Sequence, residues 1–251
     1  MSAPLIFLGP SLKLADARAI LAADYRPPAQ RGDVIRAVEA GASVIGLVDG
    51  FTHLVPAVTH KEILFALSCG VQVYGAASLG ALRAAELGDY GMIGIGHIFE
   101  DYRAGKMTSD EVALCHGPAE LGYCAVSEAM VNVRATIAAA VAAGLLTRSA
   151  DALLEIARGT HFTARTWPQL LEAAGRRNLP PRELDTFKAW LPAGRADPKR
   201  RDAIAMLEAV RDGRQHADPA SVRAFEFRPT QAFAALHCSV TAAEPRSTAA
   251  E

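Results

Sequence analysis

The sequence predicts an α/β protein: a parallel-type sheet with flanking helices in the N-terminal half, followed by an all-α C-terminal part. Three observations predict it. Short apolar runs alternate with helical patterns through residue 87, at the spacing of βαβ units. From Ser127 onward Ala, Leu and Arg dominate and strand-like runs stop. The 251 residues are 51% hydrophobic and 21% charged with a formal net charge of −1, enough for a large core and unlike a disordered chain.

The elements follow in order. Residues 5–8 form a first strand, broken by Gly9, Pro10 and Ser11, and residues 16–22 a helix. Asp33 is the expected N-cap of a helix through Val34, Ile35, Val38 and Glu39 that stops at Gly41. Residues 43–48 read as a buried strand ending at Asp49 and Gly50. Residues 58–68 read as a helix with Ile63, Leu64 and Leu67 on one face and Gly70 as its stop. The next strand, 71–74, runs into Gly75, Ala76, Ala77 and Ser78, and a helix spans 79–87. A helix is expected over 98–104 and a short strand over 111–115. Ser127 is the expected cap of a long helix to residue 143. Further helices are expected over 149–158, 166–175, 182–190 and 198–213, punctuated by Pro180, Pro181 and Pro192. The chain thus divides into an α/β core at 1–125, a helical part at 126–213 and a poorly structured tail at 214–251.

Composition narrows the function. The near-neutral charge argues against a nucleic-acid partner. No run of 18 uncharged apolar residues suggests a membrane span, and the N-terminus reads as the lead-in to a strand, not a signal peptide. Cys69, Cys115, Cys124 and Cys238 form no CxxC pair, so neither a metal site nor a disulfide framework is expected. A cytoplasmic protein with free thiols and no cofactor fits these features.

Open α/β sheets bind ligands at the carboxyl ends of their strands. Three such ends hold candidates: Gly9 and Ser11, Asp49 and Gly50, and the run from Gly75 to Ser78. The third is the sharpest. Ala76-Ala77-Ser78-Leu79-Gly80 matches the nucleophile-elbow pattern, with alanine in the first glycine position. Small residues let a strand turn abruptly into a helix, and Leu79 N–H at the helix start can hold an oxyanion, with the Gly9–Ser11 loop as a further donor. Ordinary helix capping by Ser78 is the competing explanation. A serine nucleophile needs a base. His53 and His60 lie nearest a strand-end loop, but their order relative to the serine differs from that of an α/β-hydrolase. Lys61 is the other candidate, since the chain has only five lysines and this one opens an otherwise apolar helix, where desolvation can free its amine. Pairing with Glu62 or Asp49 on a solvated surface is the alternative.

Other signals are weaker. The glycine-rich run 91–96 lacks the strand context of a dinucleotide fingerprint, and there is no Walker A sequence. Cys115 and His116 are adjacent but read as packing. Lys199, Arg200 and Arg201 read as a solvated charge run at a helix start.

Residues 41–50, 55–64, 75–87, 117–123 and 127–132 resemble the TfuA family, and the likeness covers roughly residues 4–140. The resemblance implies a partner of YcaO enzymes, which replace a peptide-backbone oxygen by sulfur. It implies a hydrolase that frees sulfide from a thiocarboxylated, ubiquitin-like carrier of the ThiS type, and help for YcaO in holding its peptide substrate. It maps a catalytic serine–lysine pair onto Ser78 and Lys61. Asp49, Gly50 and Gly80 are expected at the pocket, His53, His60 and Glu62 as supports of Lys61, and a glycine-bordered entrance for a thin carrier tail. Two other accounts stand beside it: a non-catalytic adaptor that docks YcaO and its peptide, and a nucleotide-binding α/β domain using the Gly9 and Gly75 loops.

Overall fold

The computed structural model describes residues 3–51, 55–108, 110–215, 220 and 222–242. Its elements are β1 (Leu5–Phe7), α1 (Leu14–Ile20), β2 (Asp24–Arg26), α2 (Asp33–Glu39), β3 (Val44–Leu47), α3 (His60–Ser68), β4 (Gln72–Ala76), α4 (Leu79–Leu87), β5 (Ile93–Ile95), α5 (His97–Arg103), α6 (Met130–Ala142), α7 (Ala150–Gly159), α8 (Trp167–Arg176), α9 (Pro181–Gly194), α10 (Pro198–Arg211) and α11 (Gln231–Ala242). The five strands pair in parallel in the order β2-β1-β3-β4-β5. The connection direction reverses between β1 and β3, the place where such sheets open a crevice.

Alternation along the strands builds two cores. Leu5, Phe7, Ile45, Leu47 and Val73 pack with Val34 of α2, Ile63 of α3 and Ala84 of α4. Ile6, Tyr74 and Ala76 pack on the opposite face with Ala17 of α1 and Ala203, Met206 and Val210 of α10. The expected α/β half followed by helices is therefore present. The boundary at 126 is not a packing boundary, because α10 returns to cover β3, β4 and β5. Helices α6 to α9 form their own core around Leu146, Leu170 and Phe187.

Several expectations are corrected. Strands β2 and β5 are too short for pattern reading, and β5 lies inside the glycine-rich run. There Gly94 makes room for the Phe99 ring, which a Cβ would meet at 2.2 Å, so the run serves packing. Residues 111–115 are no strand: Glu111 and Ala113 N–H groups bond back to Thr108 and Asp110 carbonyls in local turns. Asp33 is the first residue of α2, whose cap is Gly32 at φ +93°. Ser127 does not cap α6, which starts at Met130; its hydroxyl accepts the Cys115 N–H at 2.7 Å. Pro192 sits inside α9 near its C-terminal end. The expected loose tail contains α11, which packs on α2 through Ile35, Phe233 and Val240.

One cap gives an acid-stability prediction. Glu183 on α9 accepts the Thr147 hydroxyl at 2.7 Å and the Ser149 N–H at 3.1 Å, tying α9 to the start of α7. The Thr147 hydroxyl leads in pulling this carboxyl from 4.5 to about 2. A lowered folded value means the contact stabilises fully above pH 4.5 and is lost as pH falls towards about 2. Glu183→Gln is expected to lower the melting temperature at pH 6, and the gap to wild type is expected to close near pH 2.

Candidate functional site

The corner after β4 is built from small residues under strain. Ala77 is fully buried at φ +63°, a conformation that costs a non-glycine residue about 1–2 kcal/mol. Across it the Ser78 N–H donates to the Ala76 carbonyl at 2.7 Å, closing a tight three-residue turn. Ser78 then occupies the N-cap position of α4, yet its side chain makes no capping bond. Capping therefore does not explain this serine. It is 8% exposed, and its hydroxyl has no hydrogen-bond partner among the described residues.

Two glycines bring α4 onto the sheet. A Cβ on Gly80 would stand 1.7 Å from the Leu47 carbonyl oxygen, and one on Gly75 would stand 2.2 Å from the Gly80 carbonyl oxygen. Gly80 N–H donates to Val48 at 3.4 Å. Gly80 therefore sets the helix in place and is no free donor. Gly50, whose Cβ would meet Leu79 Cδ2 at 2.3 Å, and Gly9, whose Cβ would meet Pro28 Cγ at 2.4 Å, are likewise filled by the protein's own packing. The glycine-bordered entrance expected for a carrier tail is not formed by these four.

Other backbone donors at this end of the sheet are occupied from within. Asp49, buried after β3, accepts Gly9 N–H and Ser11 N–H at 3.0 Å each and the Ser11 hydroxyl at 2.7 Å. The Gly9–Ser11 loop thus spends its donors on Asp49 and has none for an oxyanion, which corrects that expectation. At α3, Thr59 and Glu62 form a reciprocal capping box. At α5, the Asp202 carboxylate accepts Ile98 N–H at 2.8 Å. Leu79 N–H, at the start of α4 beside Ser78, has no backbone or side-chain acceptor among the described residues. It is the donor left for an oxyanion.

The expected supports of Lys61 do other work. Glu62 is fully buried and also accepts Gly32 N–H at 2.6 Å, joining α3 to α2; burial raises its carboxyl above the usual range, against the lowering effect of those hydrogen bonds. His60 pairs with Glu86 of α4 at 2.8 Å, beside Arg83. His53 lies outside the described residues. Lys61 itself opens α3 at the same end of the sheet as Ser78, but its amine donates to the Arg228 carbonyl at 2.9 Å and lies 5.3 Å from the centre of the Phe227 ring.

A lysine that sequence reading placed in solvent is instead buried here. Lys199 is 1% exposed and donates to the Val112 carbonyl at 3.0 Å. Burial pulls its amine below the ordinary lysine range, and the carboxylates of Asp49 and Asp197 pull it back up. The readable signal was its place at the head of the stripe Lys199, Ala203, Met206 and Val210, whose other members all face the sheet. Beside Gly50 the Phe51 ring packs against His116 and Tyr123, with centroids 5.5 and 6.5 Å away, so the 115–126 loop stands next to the strand ends.

Chemically, the strained corner offers a serine hydroxyl and a helix-start N–H that no described residue engages. Among the described residues, no helix is long and apolar enough to cross a membrane. No curated protein matches the chain. The family model described as TfuA-like protein matches residues 49–166, a stretch that holds Asp49, Lys61 and the Ser78 corner. Through that region, this chain is similar to TfuA-like proteins.

Proposed function

We propose that this chain is an acyl-transfer hydrolase that releases sulfide from a thiocarboxylated, ubiquitin-like carrier of the ThiS type. The sulfide supplies a YcaO enzyme that thioamidates a peptide backbone, and the chain also assists that enzyme in binding its peptide. The observation that carries the reading is the Ser78 hydroxyl, free of any capping bond on a strained strand-to-helix corner. Ser78 attacks the thiocarboxylate carbon, Leu79 N–H holds the developing oxyanion, and hydrosulfide leaves. Water then cleaves the serine ester. A lysine amine takes the serine proton. The family resemblance gives Lys61, whose amine must first release the Arg228 carbonyl to do so.

A second reading, an adaptor without catalysis, draws on Leu121 and Val126. They stand 63% and 56% exposed on the loop beside the strand ends, an apolar surface suited to a protein partner. The two readings separate when the purified chain is incubated with thiocarboxylated carrier in the absence of YcaO. Catalytic sulfide release, with an acyl group trapped on Ser78 in the mass spectrum, is the expected result. Carrier binding without release would leave only the adaptor.

A further inference from the structure

We infer that Lys199 is the amine that takes the Ser78 proton, an inference that rests on Ser78 being the nucleophile of the hydrolysis proposed above. Helix α10 runs antiparallel to the strands across one face of the sheet. Its start lies by the end of β5, where Asp202 fills the space beside Gly96, and its end lies by Tyr74, whose hydroxyl donates to the Arg214 carbonyl at 2.6 Å. Met206 marks the height of the helix: a Cβ on Gly46 would stand 2.9 Å from its Cε. From Met206 back to Lys199 the helix climbs about 10.5 Å. From Gly46 on to Asp49 the strand climbs about 10 Å. Lys199 therefore stands level with Asp49. The pairing of Leu47 with Gly75, carried two residues on, sets Ala77 beside Asp49, one residue before Ser78.

The side chain is held at that level from above. Val112, whose carbonyl accepts the Lys199 amine, belongs to the apolar cluster that contains Ala81 in the first turn of α4. The amine thus lies against the 110–115 segment and within electrostatic reach of Asp49 at the sheet end. No carboxylate lies within salt-bridge distance of it among the described residues, although Asp49 and Asp197 act on it through space. Among the charges around α10, Asp16 of α1 pairs with Arg200, Asp202 of α10 holds the start of α5, Glu111 pairs with Arg134 of α6, Glu100 of α5 pairs with His97 and Asp101 of α5 with Lys106, while Arg18 of α1 is exposed. A buried amine short of counter-charge favours its neutral form, which is a base. Lys61, half-buried, is held instead by the Arg228 carbonyl and the Phe227 ring.

The proton balance is complete. In the first step the bond from Ser78 Oγ to the thiocarboxylate carbon forms. The hydroxyl proton passes to Lys199 Nζ and on to sulfur, and the C–S bond breaks to give hydrosulfide. In the second, water adds to the ester carbon. One water proton passes to Nζ and returns to Oγ as the serine C–O bond breaks, leaving a carboxylic acid that ionises.

Reaction of the full chain with a fluorophosphonate probe, read by mass at Ser78, and sulfide release from thiocarboxylated carrier together test this. Wild-type labelling is expected to rise with pH through one ionisation well below the free-lysine value of about 10.4. Lys199→Met, shown folded by its melting curve, is expected to lose that pH dependence and slow both reactions about 100-fold or more. Wild-type rates and pH profile in Lys199→Met overturn the inference, as does a pH profile that only Lys61→Met removes. Should Lys199→Met not fold, a wild-type ionisation at the free-lysine value overturns it instead. Undiminished sulfide release by Ser78→Ala strikes the proposed hydrolysis itself, whatever Lys199 does.

Discussion

Ser78→Ala is expected to lower sulfide release at least about a thousandfold, because the nucleophile goes while Leu79 N–H and the carrier contacts stay. The same variant is expected to unfold within about 0.5 kcal/mol of wild type, since the hydroxyl holds no bond that stabilises the fold. That pairing is diagnostic. A capping serine replaced by alanine costs about 1 kcal/mol and leaves catalysis elsewhere untouched. Rate measurements on thiocarboxylated carrier and urea unfolding curves on one preparation check both halves. A destabilised variant with a normal rate would return Ser78 to the role of a cap.

Gly80→Ala is expected to cost about 3 kcal/mol or more in urea unfolding, the largest stability effect at the site. Glycine to alanine in a helix ordinarily gains up to about 1 kcal/mol. Here the new methyl would stand 1.7 Å from the Leu47 carbonyl oxygen and 2.6 Å from its carbon, both in the backbone of the inner strand β3. No side-chain rotation clears that overlap, so α4 must move off the sheet and lose the Gly80 to Val48 hydrogen bond. A shift of about 1 Å at the helix start also moves Ser78 and Leu79 N–H, enough for roughly a hundredfold loss of rate. Gly175→Ala in α8, where a Cβ meets nothing within 4 Å, is the control and is expected to be neutral or stabilising.

Much of this was legible before any coordinates. Helix α4 begins and ends where the pattern placed it, and β1, β3, α3 and the Ala77–Ser78 corner lie within a residue or two of their expected bounds, because long apolar periodicity and glycine stops are local signals. Strands β2 and β5, three residues each, carry too little pattern to be seen. The capping of α6 was misread because Ser127 serves a contact with Cys115, twelve residues earlier in the chain. Helix α11 was missed because an Ala-rich, weakly charged segment near a chain end looks frayed until its partner α2 is in place.

The sequence by itself determined the alternation of strands and helices, the small-residue corner and the identity of its serine, since each depends on neighbours a few residues apart. Only the tertiary structure decided which donors at this end of the sheet are already taken and which lysine is buried. Asp49 takes the Gly9 and Ser11 N–H groups, Arg228 takes Lys61, and α10 carries Lys199 into the dry end of the sheet. Those assignments join residues separated by about 40 to more than 150 positions, and electrostatic environment depends on distance in space, to which periodicity along the chain is blind.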